Sequence, residues 1–134
     1  MIEVELSKII IDEKRQDQII VLKEKGGTRQ FPIVIGFLEA SSIKMKLSGL
    51  QAPRPMTHDL FVLTLKSLDI KLEKLLIDKL VDNTFHAKIV LKTLNAEIKI
   101  VDARPSDGIA LAVRASAPIF VEEEILDKAT IIKS

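Results

Sequence analysis

The chain has 134 residues, 47% apolar and 29% charged, which suffices for one domain with its own core and is too apolar for intrinsic disorder. Twenty Lys and Arg against nineteen Asp and Glu leave a formal charge of +1, so any polyanion must be met by a local site and not by a general basic field. Cys is absent, which removes disulfides, thiol nucleophiles and thiolate zinc sites; Trp and Tyr are absent too, and five Phe offer few platforms for stacking bases.

The first elements read as strands. Residues 2–11 alternate, Asp12-Glu13-Lys14-Arg15 is a charged turn, and residues 17–24 form a second strand around Ile19-Ile20-Val21-Leu22, which together make a hairpin. Gly26-Gly27 turns the chain into a third strand over 28–35. Pro32 lacks an N–H for a ladder, so that strand is expected at an edge or to begin there. Met1 leads directly into the first strand with no basic and then apolar leader, so no signal peptide is expected. Apolar runs stay near about five residues, short of the roughly 20 a membrane helix needs. The expected setting is the cytoplasm.

From Phe37 the period changes. Ala40, Ile43, Leu47 and Leu50 recur at helical spacing, closing at Gly49. After the prolines of 51–56, a second helix runs from Thr57 to about Leu68, its apolar stripe drawn by Leu60, Phe61, Thr64, Leu65 and Leu68. Strands follow at 70–79, 85–93 and 96–102, the first two joined by a turn at Val81-Asp82-Asn83-Thr84. A third helix over 107–116, apolar all round, is expected to be buried. A short strand at 119–121, a helical turn at 122–127 and a last strand at 129–133 end the chain. The pattern predicts a single α+β domain over residues 1–134, with a mixed, mainly antiparallel sheet and two to three packed helices.

Two segments carry the candidate chemistry. In Arg54-Pro55-Met56-Thr57-His58-Asp59, Thr57 reads as an N-cap and Asp59 as a carboxylate complementing the helix dipole. The same residues set an imidazole and a guanidinium at a helix N-terminus, an end that favours anions, and His58 suits a general acid/base. In Asp102-Ala103-Arg104-Pro105-Ser106-Asp107-Gly108, Ser106 reads as an N-cap. Asp102 shares a strand face with Ile98 and Ile100, which suggests a partly buried carboxylate paired to Arg104 or Arg54. The carboxylates of Asp102 and Asp107, with Glu39 from the start of the first helix, are of the type that holds Mg²⁺ or Mn²⁺ for phosphodiester hydrolysis. Each has an ordinary structural use as well, as helix cap, dipole complement or arginine staple. His86 lies on a strand face with Lys88 and Lys92 and is expected in solvent.

Phe31-Pro32-Ile33-Val34-Ile35-Gly36 with Glu39-Ala40, both Arg-Pro segments, Asp82-Asn83-Thr84-Phe85-His86-Ala87 and Ala117-Pro118-Ile119-Phe120-Val121 stand in the order found in the bifunctional nuclease domain family. The chain resembles that family over nearly its whole length, with His86 where the family often has Tyr and Gly108 where it often has Ala. The resemblance implies a self-associating α/β fold and nuclease activity on DNA and RNA. On that implication, His58, Asp59, Asp102 and Asp107 are catalytic candidates. Arg54, Arg104, Thr57 and Ser106 would contact substrate, and Glu39, Asp102 and Asp107 would hold the metal. The enzyme reading expects both Arg-Pro loops and the start of the first helix to converge on one pocket. The rival is a non-catalytic homo-oligomer, most simply a dimer, binding a small anion or a protein at the two Arg-Pro loops.

Overall fold

A computed structural model describes residues 1–12, 14, 16–129 and 132–133. Among the described residues eight strands and four helices follow one another as β1 (Ile2–Ile10), β2 (Asp17–Glu24), β3 (Arg29–Gly36), α1 (Phe37–Leu47), α2 (Thr57–Ser67), β4 (Lys71–Val81), β5 (Thr84–Lys92), β6 (Ile98–Ala103), α3 (Pro105–Ala115), β7 (Ile119–Val121), α4 (Glu123–Ala129) and β8 (Ile132–Lys133). They form one sheet in the order β6-β5-β4-β7-β1-β2-β3-β8. Every neighbouring pair is antiparallel except β4 and β7. The expected mixed, mainly antiparallel α+β domain is what forms. Glu13 and Arg15 of the first turn, and Ala129's successors Thr130, Ile131 and Ser134, lie outside the described residues.

The short β7 joins the two antiparallel halves: Val4 pairs with Ile119 on one side and Leu75 pairs with Ile119 on the other. The sheet also curls. β3 and β5 are separated by four strands in the order, yet the Phe31 and Phe85 rings lie 5.5 Å apart. This curl brings the β4–β5 turn near the end of β3. That turn is tight because Asp82 and Asn83 both take positive φ, 51° and 63°, the left-handed pair that suits a two-residue hairpin. Pro32 stands opposite Val21 of β2, and among the described residues β8 pairs with Arg29 and Gln30 of β3. Buried Gln18 ties the β1–β2 hairpin, accepting from Asp12 N–H and donating back to the Asp12 carbonyl at 2.9 Å.

Helix α3 is the hub of the helical layer. It packs on β4 and β5 and touches both α1 and α2. Ile109, Ala110, Leu111 and Ala112 are all buried; truncating a side chain such as Ile109 at such a site costs about 2–5 kcal/mol. Gly108 is where helix meets sheet most closely. A β-carbon there would strike the Leu75 side chain, which is itself fully buried.

Two expectations about packing fail. In α1, Ala40 and Ile43 are buried, but Leu47 is 55% exposed, and Leu50 beyond the helix is 68% exposed. In α2, Val62 and Leu65 face inward, whereas Leu60, Phe61 and Leu68 of the expected stripe are exposed. The reason is position. Helix α2 leans on α3 and has little contact with the sheet, so only a narrow strip of its surface is covered. No helix among the described residues is long and apolar enough to cross a membrane.

Candidate functional site

Both Arg-Pro segments start helices, and the register is the same in one respect. Asp59 and Asp107 each occupy the third helical position, after N-caps at Met56 and Arg104. Thr57 and Ser106 are therefore not caps. Thr57 is the first helical residue and exposed. Pro105 takes the first position of α3, where its missing N–H costs nothing, and this moves Ser106 inside the helix, 6% exposed. The capping work on α2 is done by Asp59, whose Oδ2 accepts the Met56 N–H at 3.0 Å.

A chain of polar contacts joins the three helices. Ser42 Oγ lies 2.8 Å from His58 Nδ1, and His58 Nε2 lies 3.0 Å from Asp107 Oδ1. Arg104 Nε donates to Asp107 Oδ2 at 2.9 Å, and its Nη1 is 3.7 Å from Glu39 Oε2. A carboxylate only accepts, so Asp107 places a proton on His58 Nε2; the neutral ring then accepts the Ser42 hydroxyl at Nδ1. Burial pushes the Asp107 carboxyl up, but the hydrogen bonds from Arg104 and His58 outweigh it and hold it below the usual carboxylate value. Arg104 is correspondingly raised, chiefly by its bond to Asp107.

Arg114 forms a second contact centre beside this chain. Its side chain is 5% exposed. Nε donates to Asp59 Oδ1 at 2.7 Å, Nη1 to the Ala110 carbonyl at 2.9 Å and Nη2 to the Ser42 carbonyl at 3.2 Å. The bond from Arg114 is the main cause of a lowered Asp59 pKa, and the Met56 N–H adds to it. Asp59 is thus committed to structure. Neither Ser42 nor Arg114 stood out in the sequence. Ser42 is one of two adjacent serines in an amphipathic helix, and Arg114 looks like an ordinary cation in a last turn.

The arginines of the two loops do not share a cavity. Arg54 lines one of about 520 Å³ with Lys46, Asp59, Lys66 and Arg114. Arg104 lines another of about 500 Å³ with Asp17, Glu39 and Ser106, between β3 and the β4–β5 turn. The start of α1 joins the second cavity only. His58 and Asp107 bridge the two loops, while Arg54 and Arg104 line different cavities. Asp102 departs furthest from expectation. It is exposed, has no arginine partner among the described residues, and pairs across the ladder with Lys88 on β5. β6 is an edge strand that the helical layer leaves open on both faces, and Ile98 and Ile100 beside it are exposed at 54% and 60%. Mg²⁺ and Mn²⁺ take several oxygen ligands. Among the described residues no three His, Asp or Glu side chains come close enough to share an ion, so the set Glu39, Asp102 and Asp107 does not assemble as a ligand cluster. His86 is exposed, as its strand face predicts.

The bifunctional nuclease domain matches residues 20–134 of the chain. Two uncharacterized proteins of Mycobacterium tuberculosis, Rv1829 from strain ATCC 25618 / H37Rv and MT1877 from strain CDC 1551 / Oshkosh, are each 36% identical to it over 130 residues. The alignment covers 97% of this chain and 77% of each relative. The chain belongs to the bifunctional nuclease domain family.

Proposed function

We propose that this family member hydrolyses phosphodiester bonds of DNA and RNA, with His58 as general acid/base and Asp107 holding its ring. The observation that supports this reading is the hydrogen-bonded run Ser42–His58–Asp107–Arg104. His58 Nδ1 takes a proton from the water that attacks phosphorus, which would stand where Ser42 Oγ now does; as the new P–O bond forms, the P–O bond to the leaving sugar oxygen breaks, and the imidazolium gives the proton to that oxygen. Asp107 stabilises the imidazolium through Nε2. Arg104 is two-thirds exposed, and beyond Asp107 its guanidinium has only the longer 3.7 Å contact with Glu39, which a phosphate would replace or share. Asp59 and Asp102 have no part in this scheme, and no step runs through a metal.

The test uses chelator-stripped full-length protein and labelled single- and double-stranded DNA and RNA, with Mg²⁺ or Mn²⁺ titrated in. His58→Gln should lose about 10²-fold or more in rate, and Asp107→Asn nearly as much, with both variants folded by circular dichroism. Cleavage that persists in both would overturn the reading.

A second reading has its own support. Arg114 holds Asp59, and Arg104 holds Asp107, which is what staples would do. Leu38, Leu60 and Leu68 stand 78%, 58% and 61% exposed. On this reading the chain is a non-catalytic homo-oligomer that covers those side chains. Sedimentation velocity over a concentration series tests it: a monomer at every concentration, or a rate lost only in His58→Gln, would rule it out.

A further inference from the structure

The cavity at the first Arg-Pro loop has a larger net positive charge than the whole chain. Its walls hold Lys46, Arg54, Lys66 and Arg114 against the single carboxylate of Asp59, a formal +3 in a protein of +1. The cavity at the second loop has nearly the same volume but carries Asp17 and Glu39 against Arg104, a formal −1. Arg114 and Asp59 neutralise each other. Among the described residues, Lys46, Arg54 and Lys66 have no carboxylate within ion-pair distance, and Lys46 feels Asp59 only at longer range. Lys46 and Lys66 stand in the last turns of α1 and α2, where a cation suits the carbonyl ends; Arg54 lies in the loop and has no such use. Apart from Gln51 the remaining wall is apolar, with Leu50, Pro53 and Leu63 among its residues.

We propose that this cavity binds a phosphomonoester carried on an apolar or planar body of about nucleotide size. Three uncommitted cations match a head group of about −1.5 to −2 better than a carboxylate of −1. A planar guanidinium gives bidentate contact with phosphate oxygens. A volume of about 520 Å³ lies in the range of small-molecule sites, and the apolar wall takes the body of the ligand. The site is separate from the His58 run and stands whether or not that run is catalytic.

Calorimetric titration of the full chain tests this with uridine monophosphate, inorganic phosphate and an oligonucleotide lacking terminal phosphates. The monophosphate should saturate. Arg54→Gln should weaken it about tenfold, the loss of one charge-assisted contact, and adding Lys46→Gln and Lys66→Gln should weaken it further. Leu63→Ser should weaken the nucleotide but leave inorganic phosphate unchanged. His58→Gln should lose cleavage while keeping this binding, which separates failure of the two ideas. No saturation by millimolar monophosphate, or equal affinity in the triple variant, overturns the proposal. So does an oligonucleotide that binds as tightly with the same dependence on Arg54, since a diester strand would then be the ligand.

Discussion

The two Arg-Pro loops look alike in sequence and end differently, and two residues of spacing make the difference. In the second loop Arg104 is itself the N-cap of α3, three residues before Asp107, and the two pair at 2.9 Å. In the first, Pro55 and Met56 stand between Arg54 and the helix, which begins at Thr57, so Arg54 is five residues before Asp59. Asp59 instead takes Arg114 from α3. One loop thus ties one edge of its arginine to its own helix carboxylate and leaves a cavity slightly acidic. The other leaves its arginine with no carboxylate partner among the described residues, in a cavity that is strongly basic. The partner of the helix carboxylate decides which arginine is left wholly unpaired.

The largest effect expected from breaking this arrangement comes at Asp59. Asp59→Ala strands the guanidinium of Arg114, which is almost wholly buried, and removes the cap on Met56 N–H. Removing one partner of a buried pair costs about 3–5 kcal/mol. Asp59 is itself 35% exposed, so about 3 kcal/mol is expected, read as a lower urea midpoint at unchanged slope. Arg114→Met with Asp59→Asn should recover most of that loss, because no charge is then left without a partner. If the single and double variants are equally destabilised, the pair is not what holds α2 to α3.

Acid should act on both loops with the same sign. Asp59 and Asp107 have folded-state pKa values below their ordinary 3.8. Each therefore contributes stability that is present above 3.8 and lost as pH falls through the lowered folded values. The wild type should lose stability progressively below pH 3.8. The acid limb of a plot of unfolding free energy against pH should flatten in Asp59→Asn and, less strongly, in Asp107→Asn. Rewiring the first loop is a sharper test of the spacing argument. Met56→Arg puts a guanidinium at the N-cap, three residues from Asp59, as in the second loop. With Arg54→Gln it should cut the binding of uridine monophosphate about tenfold while changing stability by about 1 kcal/mol or less.

Most strands were legible because alternation over eight or nine residues admits few other readings. β5 shows this, with Ala87, Ile89 and Leu91 buried and His86 exposed. The helical faces were less legible. The spacing of Leu60, Leu65 and Leu68 is helical, but it does not say that α2 sits at the rim of the layer. Asp102 misled for the same reason: its strand face is shared with isoleucines, yet nothing in the segment shows that β6 is an uncovered edge. His58 and Asp107 were found because both flank a proline loop at a helix start. Ser42 was missed because its role depends on α1, α2 and α3 meeting, 16 and 65 residues away along the chain. Pairings set by the sheet's curl, such as Phe31 with Phe85, leave no local mark at all.

The smallest expected effect separates holding from acting in the second loop. Arg104 is 66% exposed and Asp107 34% exposed, so their ion pair is well screened and contributes no more than about 0.5 kcal/mol. Arg104→Gln should therefore barely move the urea midpoint. It should still raise the pKa of Asp107, since Arg104 supplies the first of the two hydrogen bonds that lower it. A carboxyl-carbon NMR titration of Asp107 would show the shift upward. If Asp107 titrates unchanged in Arg104→Gln, His58 alone sets its charge, and the arginine belongs wholly to the phosphate side of the site. If instead Arg104→Gln destabilises as much as Asp59→Ala, the second loop is a staple like the first, and its arginine is not free to meet substrate.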